Sequence, residues 1–260
     1  MRKKGLNKKV AILSILSAVG ICILAGVLCY KYWGRSVSKI GDNWDYDVEQ
    51  YYDEVINEPP TEGFKYEAKD LYKGLDLSHH NKINDFDALS QFDFIYHKAT
   101  EGATFVDPRF KTCYNECVKR GVPIGAYHFF TTTSSGEKQF ENFKRVVPKT
   151  CALLPMLDIE INKNNWSKGK LNRELATWIK MCKEYYGVKP IIYSSSWFYK
   201  QYSLSKHKCL FWSGDINDTP RVKCCIHQKR FEKVKGIAGE VDYNESKKLY
   251  FNPNAVPKEI

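Results

Sequence analysis

Hydrophobic and polar positions divide the chain into three stretches. Residues 10–30, opening at Val10 and closing at Tyr30 (VAILSILSAVGICILAGVLCY), run for 21 residues without a formal charge. At about 1.5 Å rise per residue such a run crosses roughly 30 Å, the thickness of bilayer hydrocarbon, and predicts a transmembrane helix. Five cations within residues 1–9, and an acidic stretch after the helix, place the N-terminus in the cytoplasm and everything from Lys31 outside. A cleaved signal peptide is the competing reading, with the bulk of the chain then secreted. The run is longer than a usual signal core, and no small-residue cleavage site follows it.

Residues 31–72 are rich in Tyr, Asp and Glu, and Pro59 and Pro60 interrupt any helix there. This reads as a stalk with one short helix around residues 48–56. From Lys73 short apolar runs alternate with amphipathic stretches, the signature of βα units around a parallel sheet. Strands are predicted at 74–78, 92–99, 122–130, 152–160, 190–194, 209–213, 224–228 and 239–243. Helices are predicted over 108–120, stopping at Gly121; after a Ser134/Glu137 capping box; and over 171–186, stopping at Gly187. Helical periodicity fades after about residue 205. The expectation is an α/β fold, an incomplete TIM-like β/α barrel of about eight strands and five helices. The domains follow: a basic tail over 1–9, the membrane helix over 10–30, the stalk over 31–72 and the barrel over 73–255.

Composition adds charge and cysteine to this picture. The 260 residues carry 40 Lys and Arg against 30 Asp and Glu, a net of +10. Residues 31–73 hold six cations and ten acids, so the basicity beyond the tail belongs to the barrel, which suits an acidic polymer or lipid as neighbour. The barrel's cations are scattered rather than gathered on a recognisable module, which argues against nucleic acid. Seven cysteines lie beyond the membrane run, an odd number without metal-binding spacing, and they read as mostly buried free thiols.

In β/α barrels chemistry sits at the C-terminal ends of the strands, so polar residues closing an apolar run are informative. PMLDIE closes one run with Asp158 and Glu160, two residues apart and facing the same way on a strand. GLDLS supplies Asp76, and GEVDYN supplies Asp242. Carboxylates converging in a walled cleft push one pKa up and leave another charged, the division between a glycosidase acid and its partner. The competing readings are solvated loop acids and a magnesium or calcium site, and no loop of calcium-binding spacing occurs. Tyr127, Tyr193 and Trp212 lie near strand ends, where a ring can stack on a sugar. His128 and His227 read as core or supporting residues.

Taken together GLDLSHHN (74–81), KATEG (98–102), FVDPRF (105–110), GAYHFF (125–130), PMLDIE (155–160), IIYSSSWF (191–198) and GEVDYN (239–244) resemble family 25 glycoside hydrolases, the Chalaropsis-type lysozymes. The resemblance implies hydrolysis of the β-1,4 bond between N-acetylmuramic acid and N-acetylglucosamine in peptidoglycan, without a metal or cofactor. It makes Glu160 the general acid. Asp158 becomes the carboxylate that stabilises positive charge or orients the substrate acetamido group, and Asp76 and Asp242 the other cleft acids. Tyr127 and Tyr193 match aromatic wall residues, and with Trp212, Lys98 and Gln228 they are the substrate-binding candidates. His80 and Asn81 depart from the aromatic residue and Gln that members often carry, and His227 from a Trp. The implied partners are peptidoglycan strands and, through residues 10–30, the membrane. A hydrolase of another N-acetylhexosamine polymer such as chitin, and a non-catalytic wall-binding protein, are the alternatives.

Overall fold

The computed structural model describes residues 48, 51, 52, 63, 64, 67–256 and 258–260. The expected basic tail, the membrane helix and most of the stalk lie outside the described residues. Among the described residues no helix is long and apolar enough to cross a membrane.

One sheet contains β1 (Tyr72–Leu77), β2 (Phe94–Glu101), β3 (Phe105–Val106), β4 (Ile124–Phe129), β5 (Met156–Asp158), β6 (Ile191–Ser194), β7 (Phe211–Ser213), β8 (Ile226–Glu232) and β9 (Val241–Ser246). Its order is β1-β9-β8-β7-β6-β5-β4-β2-β3, with β1 also pairing β2. Eight strands therefore close into a barrel, and β3 is an added two-residue flap antiparallel to β2. The strands from β1 through β8 pair in parallel within the ring, whereas β9 is antiparallel to both β8 and β1. The link between β8 and β9 is too short for a crossover helix, so the chain can only turn back.

Four α-helices, α1 (Phe110–Arg120), α2 (Gly136–Val146), α3 (Lys168–Tyr186) and α4 (Ser196–Tyr202), lie among the described residues of the barrel, with 3₁₀ turns at Phe86–Gln91 and Leu204–His207. This is one full helix fewer than expected, because a 3₁₀ turn fills the β1–β2 crossover. Gly121 ends α1 in the left-handed region, at φ 69°, its N–H reaching the carbonyls of Cys117 and Val118. The cap of α2 differs from the expected one by a residue: Ser135 accepts from the N–H of Lys138, and the buried Ser134 hydroxyl has no partner. The inward Gln139 explains the shift. Its amide donates to the carbonyls of Thr131 and Ser134 and fixes the turn ahead of the cap.

Alternation along the strands separates two cores. Leu75, Ile95, Ala126 and Ile192 face the helices, where Phe140, Phe143, Trp178 and Tyr186 pack together. Phe94 and Tyr96 of β2 instead meet Trp212 of β7, at 6.5 and 5.0 Å between ring centroids. β2 and β7 do not pair, so these rings meet across the barrel interior. Interior space is tight: a Cβ on Gly125 would lie 2.3 Å from the Tyr96 ring. All seven described cysteines are free and five are buried.

The N-terminal end of the barrel is covered by residues from the expected stalk. Tyr52 is 1% exposed and donates its hydroxyl to the carbonyl of Pro190 at 3.0 Å. Phe64 packs on Phe251, 6.0 Å between centroids.

Candidate active site

Strand register carries one inward row to the mouth of the barrel. Asp76 of β1 lies opposite Asp242 of β9; Lys98 of β2 opposite Tyr127 of β4; Asp158 of β5 opposite Tyr193 of β6. Gln228 of β8 joins them beside Asn244, the neighbour of Asp242's row on β9. β5 stops at Asp158, three residues long instead of the expected nine. The Ile159 N–H still bonds the Tyr193 carbonyl at 3.0 Å, and the Ser194 hydroxyl bonds the Ile159 carbonyl at 2.6 Å. These two bonds keep the chain extended past the strand end. Ile159 is buried, Asp158 is buried and Glu160 stands exposed at the rim.

The four acids share one electrostatic problem. Burial, then Glu160, push the Asp158 carboxyl well above the usual carboxylate range, with Lys98 opposing and Asp76 and Glu101 adding. Burial and the facing Asp242 do the same to Asp76, against a hydrogen bond from Asn244. Partial burial and Asp242 raise Glu160, and Lys98 lowers it. Burial also raises Asp242, which the amide of Gln228 lowers. Carboxyls raised in this way hold a proton to higher pH than free ones do, which suits general acid catalysis.

Each remaining candidate has a defined place. Lys98 is buried, with its ammonium 2.9 Å from Glu101 and 4.7 Å from the Phe129 ring centroid. Tyr127 lies on the floor and Tyr193 on the wall, and burial with the surrounding acids keeps both phenols protonated. Gln228 uses both ends of its amide inside the protein, accepting from Tyr193 and donating to Asp242. Trp212 corrects the sugar-stacking expectation: it is 0% exposed, and its indole N–H donates to Asn244 at 3.0 Å. An indole sealed among interior rings supports the wall from behind and offers no face to a ligand.

His128 is buried between the Thr100 hydroxyl, at 2.7 Å, and the Gln139 side-chain oxygen, at 3.1 Å. Burial lowers its pKa to about 4, which makes it a neutral core residue. His227 contacts the Asp215 carbonyl at 3.0 Å. Two participants escaped sequence reasoning. Asn244 donates to Asp76 at 2.8 Å, and its signal was its place two residues after Asp242, on the same face of the strand. Asp107, buried, accepts from the backbone N–H and ring of His79, both at 2.8 Å, and clamps the loop after Asp76.

A cavity of about 570 Å³ lies at the opposite end of the barrel, lined by Tyr52, Leu210, Lys223, Cys224, Cys225 and Lys248 among others. It holds none of the four acids.

Known proteins share this fold. The structure of a family 25 glycosyl hydrolase from Bacillus anthracis matches with a TM-score of 0.64 and 28% identity, covering 73% of this chain and 94% of that one. Lysozyme M1 of Streptomyces globisporus is 29% identical over 202 residues, 66% of this chain and 67% of that protein. The Escherichia coli K12 protein YegX is 32% identical over 179 residues, 63% of this chain; the match spans 61% of that relative's length. Residues 75–220 match the profile of Glycosyl hydrolases family 25, the stretch that builds β1 through β7 with Asp76, Asp158 and Glu160, and the chain belongs to that family.

Proposed function

We propose that this protein is a lysozyme-type hydrolase cutting the β-1,4 bond between N-acetylmuramic acid and N-acetylglucosamine in peptidoglycan. The observation that carries the reading is the meeting of Asp158 and Glu160 with Asp76 and Asp242 at one barrel mouth, each pushed toward its protonated form. Glu160, exposed at the rim, delivers its proton to the glycosidic oxygen as the bond to the anomeric carbon breaks. Asp158 presents a buried Oδ1 without a hydrogen-bond partner. A buried acceptor of this kind is costly until a donor arrives, and the N–H of a substrate acetamido group is such a donor. Held there, the acetamido oxygen attacks the anomeric carbon from the face opposite the leaving group, the substrate-assisted variant of glycoside hydrolysis.

The proposal includes tethering: residues 10–30 span the membrane and hold the barrel on its outer side. Alkaline carbonate should leave the full chain in the membrane fraction, and protease added outside intact cells should reach the barrel; release by carbonate would sink the tether. For the chemistry, the full chain and its Glu160→Gln partner are incubated with purified peptidoglycan, reduced with borohydride and analysed by mass spectrometry. New muramitol ends formed only by the unmutated chain are expected. Glucosaminitol ends, or none from folded protein, would overturn the assignment.

A further inference from the structure

A general acid must carry its proton when substrate arrives, and the mouth contains side chains arranged to keep it there. Gln228, 3% exposed, lies between Tyr193 and Asp242. The Tyr193 hydroxyl donates to Gln228 Oε1 at 2.5 Å, and Gln228 Nε2 donates to Asp242 Oδ1 at 2.5 Å. A phenol donating to the amide oxygen leaves the amide nitrogen turned to the carboxylate. Gly214 gives the phenol its room, since a Cβ there would sit 2.6 Å from the Tyr193 oxygen. A second relay follows the same plan behind Asp76. The indole N–H of Trp212, which can only donate, holds Asn244 Oδ1, and Asn244 Nδ2 faces Asp76 Oδ2. Both facing acids thus receive an N–H whose direction is set by an aromatic donor. An N–H donor favours the charged carboxylate.

We propose that Gln228, locked by Tyr193, is a positioning residue: its amide offsets the burial of Asp242 in favour of the charged carboxylate, and that charge keeps the proton on Glu160. The inference rests on Glu160 being the general acid. The charged and titratable groups that act on Glu160 are Asp242 from β9, Lys98 from β2, Asp76 from β1, Asp158 from β5 and Tyr193 from β6; Glu101 stands behind Lys98 as its ion-pair partner, and β8 contributes the uncharged Gln228. Lys98 is the cation that opposes Asp242, and its ion pair with Glu101 divides its charge between two partners. Asp242 is the charge that raises Glu160 most after burial itself. Without its amide donor, Asp242 would take a proton at higher pH, and Glu160 would release its own at lower pH.

The test titrates the side-chain carboxyl of Glu160 in the full chain by ¹³C NMR, assigned with Glu160→Gln, and records the pH profile of peptidoglycan cleavage beside it. Gln228→Met should lower the Glu160 midpoint by about one pH unit and move the alkaline limb of cleavage down with it. Tyr193→Phe should do so by about half a unit, because the amide remains but is no longer locked. Asp242→Asn sets the upper limit of the shift. If Gln228→Met fails to fold, Tyr193→Phe decides alone. A Glu160 midpoint unmoved in the folded variants overturns the proposal, since a merely structural role would lower stability and leave that midpoint in place. A midpoint that moves in a chain that cleaves no peptidoglycan supports the relay and rejects the muramidase reading instead.

Discussion

The two ends of the barrel are built to opposite specifications. At the C-terminal mouth the inward row is Asp76, Lys98, Tyr127, Asp158, Tyr193, Gln228 and Asp242, and burial works against the charge of every acid in it. At the N-terminal end the inward and covering residues are Tyr52, Tyr250 and Phe251, all buried, around a cavity of about 570 Å³ with two thiols in its wall. The closed end thus has a cavity without the four acids, and the mouth has the convergent charge. A cavity by itself does not mark the reactive end, because chemistry needs polar groups aimed at a common point. The contrast extends to stability: acids crowded at the mouth oppose folding, whereas aromatic cover at the closed end supports it.

Removing the acid should have the largest effect and sharpen the contrast most. Glu160→Gln is expected to lower peptidoglycan cleavage by about 10²- to 10⁴-fold, read as new reducing ends, while the urea midpoint holds or rises. Tyr52→Ala is the mirror experiment at the closed end. It deletes a fully buried ring and the hydroxyl bond to Pro190, and should cost about 3 kcal/mol in urea unfolding with cleavage per folded molecule unchanged. Cleavage lost from folded Tyr52→Ala protein would break the division between the ends.

Asp76→Asn should act in the reverse sense. The folded-state pKa of Asp76 is raised by burial and Asp242, so its charge destabilises the fold above that value and costs nothing below the unfolded value near 4. An amide at this place keeps an oxygen for Asn244 and removes the charge. At pH 7 the Tm should rise by about 2 °C while cleavage falls, and the gain should vanish as the pH is lowered toward 4. A variant no more stable than its parent at pH 7 would show that the mouth carries no electrostatic strain.

The mouth was legible in the sequence for the same reason that it works. Asp76 and Asp158 each close an apolar run, and in a parallel barrel the ends of such runs must meet; Asp242 reaches the same mouth from the start of β9, because that strand runs antiparallel to its neighbours. Glu160 was legible by its spacing from Asp158, although the strand ends before it and two backbone bonds carry the extended geometry onward. The supporting layer was not legible. Trp212 looks like a sugar platform because it is aromatic and near a strand end, and only the closed ring reveals that it points across the interior toward Tyr96. Asn244 and Gln228 acquire their roles from strands β7 and β6, far away in sequence. The closed end was hidden more completely. Tyr52 sits in an acidic stretch interrupted by prolines, and nothing local announces that its ring will seal the barrel beside Pro190. The Ser134 cap differs by one residue because a side chain four positions beyond the true cap, Gln139, decides the turn.

The smallest expected effect comes from the cavity itself, through Cys224. This half-buried thiol lines the wall, and burial raises its pKa to about 11. Near pH 7 its thiolate fraction is then about two orders of magnitude below that of an ordinary cysteine, which ionises near 8.5. Iodoacetamide should alkylate it about 100-fold more slowly than a free thiol, measured by peptide mass spectrometry of the folded chain. Cys224→Ser exchanges one small side chain for another at a site that holds none of the four mouth acids. It should leave cleavage within about twofold and the urea midpoint within about 1 kcal/mol of the parent. Rapid alkylation, or cleavage lost from a folded serine variant, would mean that the closed end holds a reactive group coupled to the mouth at the other end of β8. The division between a reactive end and a sealed one would then fail at its most sensitive point, since Tyr52, the other residue tested there, acts through packing and one hydrogen bond to the backbone.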